Sequence, residues 1–128
     1  MDSKISNGVT VGVEVSYQAE YSNPANEEFI FAYKITIANN NNFPVKLLRR
    51  QWHIVDSNGL IREVEGEGVI GLQPVILPGK DFHYISNCNF KTEIGKMQGS
   101  YLLENLNNKS LFNVLIPSFT LEAPFKSN

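Results

Sequence analysis

An all-β, antiparallel sandwich of seven or eight strands is what this sequence predicts, on three observations. Apolar residues recur at every second position through most of the chain. Pairs built from Gly, Pro and Asn punctuate it at regular intervals. No window sustains a helical period, Lys96 to Leu106 being the least clear. Short strands in series without crossover helices pair antiparallel, in a sandwich or a barrel. The length of the strands and a tryptophan, Trp52, on the third favour the sandwich.

In the first strand Val9, Val11, Val13, Val15 and Tyr17 alternate with Thr10, Gly12, Glu14, Ser16 and Gln18. Successive side chains leave opposite faces of the pleat, so one row is buried. Ser22 to Asn26 reads as a loop, and Phe29, Phe31, Tyr33, Ile35 and Ile37 repeat the alternation. Four asparagines, Asn39 to Asn42, end that strand, because their side chains compete for backbone hydrogen bonds. The third strand, Val45 to Asp56, carries two apolar rows: Leu48, Trp52 and Ile54 with Arg50, and Val45, Leu47 and Val55 with Arg49, Gln51 and His53. Ser57-Asn58-Gly59 turns it into a returning strand from Leu60 to Glu65. Pro78-Gly79 precedes a strand marked by Phe82, Tyr84, Ser86 and Cys88. Gly95 to Asn105 follows, with Met97, Gly99, Tyr101 and Leu103 in one row. Asn107-Asn108 turns into Leu111 to Ile116, and Pro117 separates a short final edge segment with Phe119 and Leu121. Lys126-Ser127-Asn128 is expected to fray.

The chain is expected to form one domain, residues 1–128. With 42% hydrophobic and 19% charged residues it carries a packed core and is not disordered. A net charge of −2 without a basic face argues against nucleic acid. The start, Met1-Asp2-Ser3-Lys4, lacks a signal peptide's apolar run, and no stretch has the length of a membrane span. A single cysteine, Cys88, forms no internal disulfide and reads as a small buried hydrophobe. The expected setting is cytoplasmic.

Gly66-Glu67-Gly68-Val69-Ile70-Gly71 matches GxGxxG, the fingerprint of a dinucleotide-binding turn. That motif must open a helix, and Pro74 and Pro78 follow too closely for one. Two readings remain. Gly66, Gly68 and Gly71 shape a crossover where the chain changes direction, or their backbone N–H groups form an anion nest. Arg50 shares a strand face with Trp52. Its head either pairs with a carboxylate at the core margin or grips an anion beside the glycine loop. Glu63, Glu65 and Glu67 share a face and read as an ordinary acidic surface rather than a weak site for a hard cation; they repel phosphate unless Arg49, Arg50 or Arg62 offsets them. His53 and His83 stand 30 residues apart, and no CxxC is present, so no metal set is expected. No nucleophile sits in a GxSxG-type turn, so no catalytic residue is assigned.

These motifs together resemble the ApaG family. The likeness lies in Leu47-Leu48-Arg49-Arg50-Gln51-Trp52-His53-Ile54-Val55-Asp56-Ser57-Asn58-Gly59 and in Val64-Glu65-Gly66-Glu67-Gly68-Val69-Ile70-Gly71-Leu72-Gln73-Pro74. It continues in Leu77-Pro78-Gly79, Phe82-His83-Tyr84-Ile85-Ser86, Gly95-Lys96-Met97-Gln98-Gly99-Ser100-Tyr101 and Ile116-Pro117-Ser118-Phe119. It spans residues 8 to 122, with isoleucine at position 70 where the family usually has valine. The resemblance implies an immunoglobulin/fibronectin type III-like sandwich and a link to cobalt resistance and magnesium efflux. Similar domains in eukaryotic F-box proteins and a polymerase delta-interacting protein imply protein–protein contact. A pyrophosphate or nucleotide role has been suggested for the family's glycine motif, here Gly66, Gly68 and Gly71.

The expectation is therefore a non-catalytic module without a cofactor that meets a protein partner or a second copy of itself. The alternative is a small-ligand binder holding pyrophosphate or a nucleotide at Gly66, Gly68, Gly71 and Arg50.

Overall fold

A computed structural model of the chain describes residues 2–124; the expected fraying of Lys126 to Asn128 lies outside them. Among the described residues nine strands follow in order: β1 (Asp2–Ser6), β2 (Val9–Tyr17), β3 (Phe29–Asn39), β4 (Val45–Asp56), β5 (Ile61–Glu67), β6 (Val75–Ile76), β7 (Asp81–Phe90), β8 (Ile94–Asn105) and β9 (Leu111–Glu122). One sheet has the order β1-β2-β3-β7 and the other β5-β4-β8-β9, with β6 also paired to β4. Every strand pairing is antiparallel. With β1 set aside, three strands face four, as an immunoglobulin/fibronectin type III-like sandwich requires. Two 3-10 turns, Ala19–Tyr21 and Pro24–Asn26, fill the loop after β2. Among the described residues no helix is long and apolar enough to cross a membrane.

Strand β1 was not foreseen from the sequence. Asn7 and Gly8 both take positive φ, 50° and 75°, and join β1 to β2 in a two-residue hairpin. Asn-Gly is the pair that such a turn favours, because its twist matches that of the strands.

Two irregularities explain the mixed apolar rows. Val45 and Leu47 are buried on β4, and so are Trp52 and Ile54, although the two pairs differ in parity. The ladder to β8 shifts register between Leu47 and Arg49. A bulge at Leu48 thus resets which side faces the core. On β9, Val114 and Ile116 are buried on one parity, Phe119 and Leu121 on the other. The register shifts opposite Met97 to Gly99, at Pro117 and Ser118. A proline is tolerated there because a bulge needs no ladder bond from its nitrogen. The segment expected as a separate edge piece is the second half of one continuous strand.

Trp52 is the centre of the core. Its ring meets Tyr33 at 5.5 Å and Phe119 at 6.0 Å between centroids, both edge-on. Polar groups inside are satisfied. Asn39, fully buried, donates to the carbonyls of Phe43 (2.8 Å) and Ile76 (3.0 Å) and accepts from the Asn41 N–H (3.0 Å). The first of the four asparagines is thus a core fastener that holds β6. Buried Asp56 accepts from the Lys91 N–H at 2.7 Å and from the Thr92 hydroxyl, sealing the β7–β8 turn.

Tyr84 of one sheet and Tyr101 of the other share a buried hydroxyl–hydroxyl bond of 2.5 Å. Burial raises both phenols well above their usual range. The folded chain therefore holds protons that the unfolded chain releases near pH 10. This stability is complete below that pH and is lost as pH climbs toward the folded values, at up to about 1.4 kcal/mol per group per pH unit. Tyr101→Phe leaves one hydroxyl without its partner and is expected to cost about 2 kcal/mol. The double change Tyr84→Phe/Tyr101→Phe is expected to cost less than the single one and to flatten the alkaline limb. Urea melts between neutral and alkaline pH measure both.

The two sides of the sandwich differ. Where β1 meets β9, Ser6 Oγ accepts the Leu115 N–H (2.9 Å) and Asn7 Nδ2 donates to the Asn113 carbonyl (2.7 Å). That side is closed. On the other side β5 and β7 are the outermost strands of their sheets, and a cleft opens between them.

Candidate functional site

The cleft has a volume of about 310 Å³. Its floor is apolar, from Tyr33, Trp52, Ile54 and Met97, and Arg50 and Arg62 stand at its walls with Ser86 and Asn87 of β7 opposite. Strand alternation places these groups. Arg50 shares the inward row of β4 with Trp52 after the bulge, and Arg62 shares that of β5 with Val64.

The glycine motif lies on the rim of this cleft. Strands β5 and β6 both run antiparallel to β4, beside residues 49–55 and 45–46. They are two halves of one edge strand, and the segment between them is an excursion from it. Val69 and Leu72 exchange backbone hydrogen bonds of 2.8 and 2.9 Å across a two-residue tip, Ile70 (φ 44°) and Gly71 (φ 77°). Gly68 (φ 60°) donates its N–H to the carbonyl of Leu48, the bulge residue, at 2.8 Å. A Cβ on Gly68 would lie 1.9 Å from the Leu72 oxygen. No helix follows, in line with the two prolines.

This geometry bears on both readings of the motif. An anion nest needs consecutive N–H groups converging on one point. The N–H groups of Gly68, Val69 and Leu72 are already bonded to carbonyls. Ile70 and Gly71 sit exposed at the tip. Gly68 and Gly71 serve the change of direction, and the N–H groups of Ile70 and Gly71 stand outside these bonds. Gly66 does something different, since a Cβ there would meet the Arg50 guanidinium at 3.0 to 3.1 Å. The bare backbone of Gly66 is the seat on which Arg50 lies.

Arg50 Nη1 donates to the carbonyls of Glu67 (3.1 Å) and Gly68 (3.0 Å). These neutral oxygens stand in place of a carboxylate partner. Arg62 reaches across the cleft from β5 to β7. Its Nη2 donates to the Asn89 carbonyl (2.6 Å) and to Cys88 Sγ (3.4 Å), and its Cζ lies 5.8 Å from the centre of the Phe90 ring. Cys88 is buried, as expected; burial pushes its thiol up and Arg62 pulls it part of the way back. From the sequence Arg62 stood out only as a charge near the glutamates. Its parity with Val64 on an edge strand was the signal that it faces inward.

Glu63, Glu65 and Glu67 lie on the outer face of β5, opposite His53, Gln51 and Arg49. His53 Nδ1 pairs with Glu63 Oε1. No group of three metal-ligating side chains occurs among the described residues.

Comparison with known proteins agrees with the fold and the motifs. The ApaG domain family profile matches residues 19–105. Protein ApaG of Agrobacterium fabrum is 44% identical over 116 residues, covering 91% of this chain and 88% of the relative. Protein ApaG of Brucella anthropi is 42% identical over 120 residues, covering 94% and 92%. The crystal structure of an ApaA protein from Bordetella pertussis superposes with a TM-score of 0.87 at 38% identity, covering 91% of this chain and 94% of that one. The C-terminal domain of wzt, at 9% identity and a TM-score of 0.57 over 94% of this chain and 76% of its own, shares the fold alone. The chain belongs to the ApaG domain family.

Proposed function

We propose that this chain is a non-catalytic interaction module that docks an extended segment of a partner protein along the open rim of β5. One observation carries the reading: the backbone of β5 is half unpaired. The Asp56 N–H donates to Leu60 at one end of the β4–β5 ladder, and the Gly68 N–H to Leu48 at the other. Antiparallel alternation between these bonds turns Arg62, Val64 and Gly66 toward β4. The N–H and C=O groups of Ile61, Glu63 and Glu65 therefore face away from the sheet, free to receive another strand.

The side chains around this rim support the reading. Leu60, Ile61 and Val64 are exposed, as are Ile70, Leu72, Val75 and Leu77 on the segment that follows. Glu63 and Glu65 beside the rim favour a segment with Lys or Arg at alternate positions. The same carboxylates repel a second copy of this edge, which favours a foreign partner over self-pairing. The family's cobalt and magnesium association is then indirect, exerted through that partner.

The test is a photo-crosslinking residue at position 63 in living cells, with Glu65→Pro as the edge-blocking variant. The Glu65 N–H faces outward, so proline there removes no bond to β4 and the melting temperature is expected to hold. A discrete adduct is expected, and the variant is expected to weaken its formation about tenfold, the worth of a lost hydrogen bond with its steric block. No adduct, or one indifferent to Glu65→Pro, ends the proposal.

A further inference from the structure

We infer that the cleft between β5 and β7 is a binding site for a small amphipathic anion, an oxyanion head on an aryl or short acyl body. Arg50 would hold the head, Arg62 would add its charge from the other wall, and Trp52, Tyr33, Ile54 and Met97 would receive the body. The inference is independent of strand docking on the rim and does not use the N–H groups of the glycine loop.

Charge is the first ground. Arg50 and Arg62 both line one cavity, and neither is ion-paired with a carboxylate among the described residues. Their partners are carbonyls, an amide oxygen and a thiol, which orient a guanidinium without neutralising it. Glu63, Glu65 and Glu67 project from the opposite face of β5, and Asp56, turned toward Lys91 and Thr92, does not line the cleft. Two unpaired arginines therefore border a partly enclosed space over an apolar floor, where a charge attracts more strongly than in open water.

Preorganisation is the second ground. Gly66 and the carbonyls of Glu67 and Gly68 fix Arg50 with only Nη1 engaged, leaving Nε and Nη2 as donors. Arg62 is fixed by Asn89 and Cys88 on the facing strand. Arginines locked before the ligand arrives lose little side-chain freedom on binding. The volume of about 310 Å³ is at the small end for ligand pockets, which sets the size of the guest. An apolar floor with a few convergent polar groups is the usual build of such a site.

Trp52 is the sole tryptophan and forms part of the floor, so its fluorescence reports occupancy. Titration with phenyl phosphate and with benzoate is expected to give a saturable change in the millimolar range or below. Benzyl alcohol, a ring without charge, and inorganic pyrophosphate, charge without a ring, are each expected to bind at least about tenfold more weakly, a loss of about 1.4 kcal/mol. Arg62→Gln is expected to weaken phenyl phosphate about tenfold, and Arg62→Lys, which keeps the charge, less. Circular dichroism of both variants establishes that they are folded. No saturable change, equal affinity for pyrophosphate, or an Arg62→Gln protein that binds as the parent does would each overturn the site.

Discussion

Trp52→Ala is expected to remove about 4 kcal/mol of folding stability, within the range for deleting a buried aromatic side chain. For a chain of this length that lowers the melting temperature by on the order of 12 °C. Trp52 is 3% exposed and touches Tyr33 from one sheet and Phe119 from β9, so its loss unpacks three strands at once. The void left behind would join the cleft above it and admit water, which keeps the cost from rising further. Trp52→Phe retains a ring and is expected to cost about half as much. Urea unfolding followed by far-ultraviolet circular dichroism measures both variants, since the fluorescent reporter is lost. A loss under about 1 kcal/mol for the alanine variant would mean that the two sheets are not held together here.

Gly68→Ala is the second large effect, at about 3 kcal/mol. A left-handed residue with a Cβ costs about 1 to 2 kcal/mol by itself. Here the Cβ also overlaps the Leu72 oxygen at 1.9 Å, so the tip hairpin must shift. The other two motif glycines separate the causes. Gly71 has positive φ but nothing within 4 Å of its Cβ position, so Gly71→Ala is expected to show the conformational cost alone, about 1 kcal/mol. Gly66→Ala pushes the Arg50 guanidinium off its seat and is expected to disturb the cleft more than the fold. Thermal melts of the three variants should rank Gly68 far above the others. Equal losses at all three positions would contradict the geometry of the excursion.

The alternation of β2, β3, β7 and β8 was legible in the sequence because one face of each is buried, and the pleat writes burial as a period of two. It failed where the chain gains a residue. Leu48 and Pro117 each mark a bulge, and a bulge swaps the inward row, so β4 showed two competing rows and β9 looked broken. Pro117 was visible but ambiguous, since a proline marks an edge, an end or a bulge equally well. Strand β1 went unread because Lys4 and Ser6 give it no apolar row, although Asn7-Gly8 announced the turn. The glycine motif was legible as a loop. That it interrupts an edge strand depends on β6 returning to β4, a pairing of two residues that no local pattern encodes. The place of Arg50 beside Trp52 and the loop followed from parity. That Arg62 lines the same cleft, reaching across a gap between sheets, is a matter of tertiary geometry.

A chain this rich in strand, with two bare rims on one side, is a natural candidate for rim-to-rim stacking into fibres. The break between β5 and β6 works against this. An incoming copy can follow β5 over only seven residues before the Val69–Leu72 hairpin stands in its path. A runway that short offers an incoming copy no continuous template along this rim.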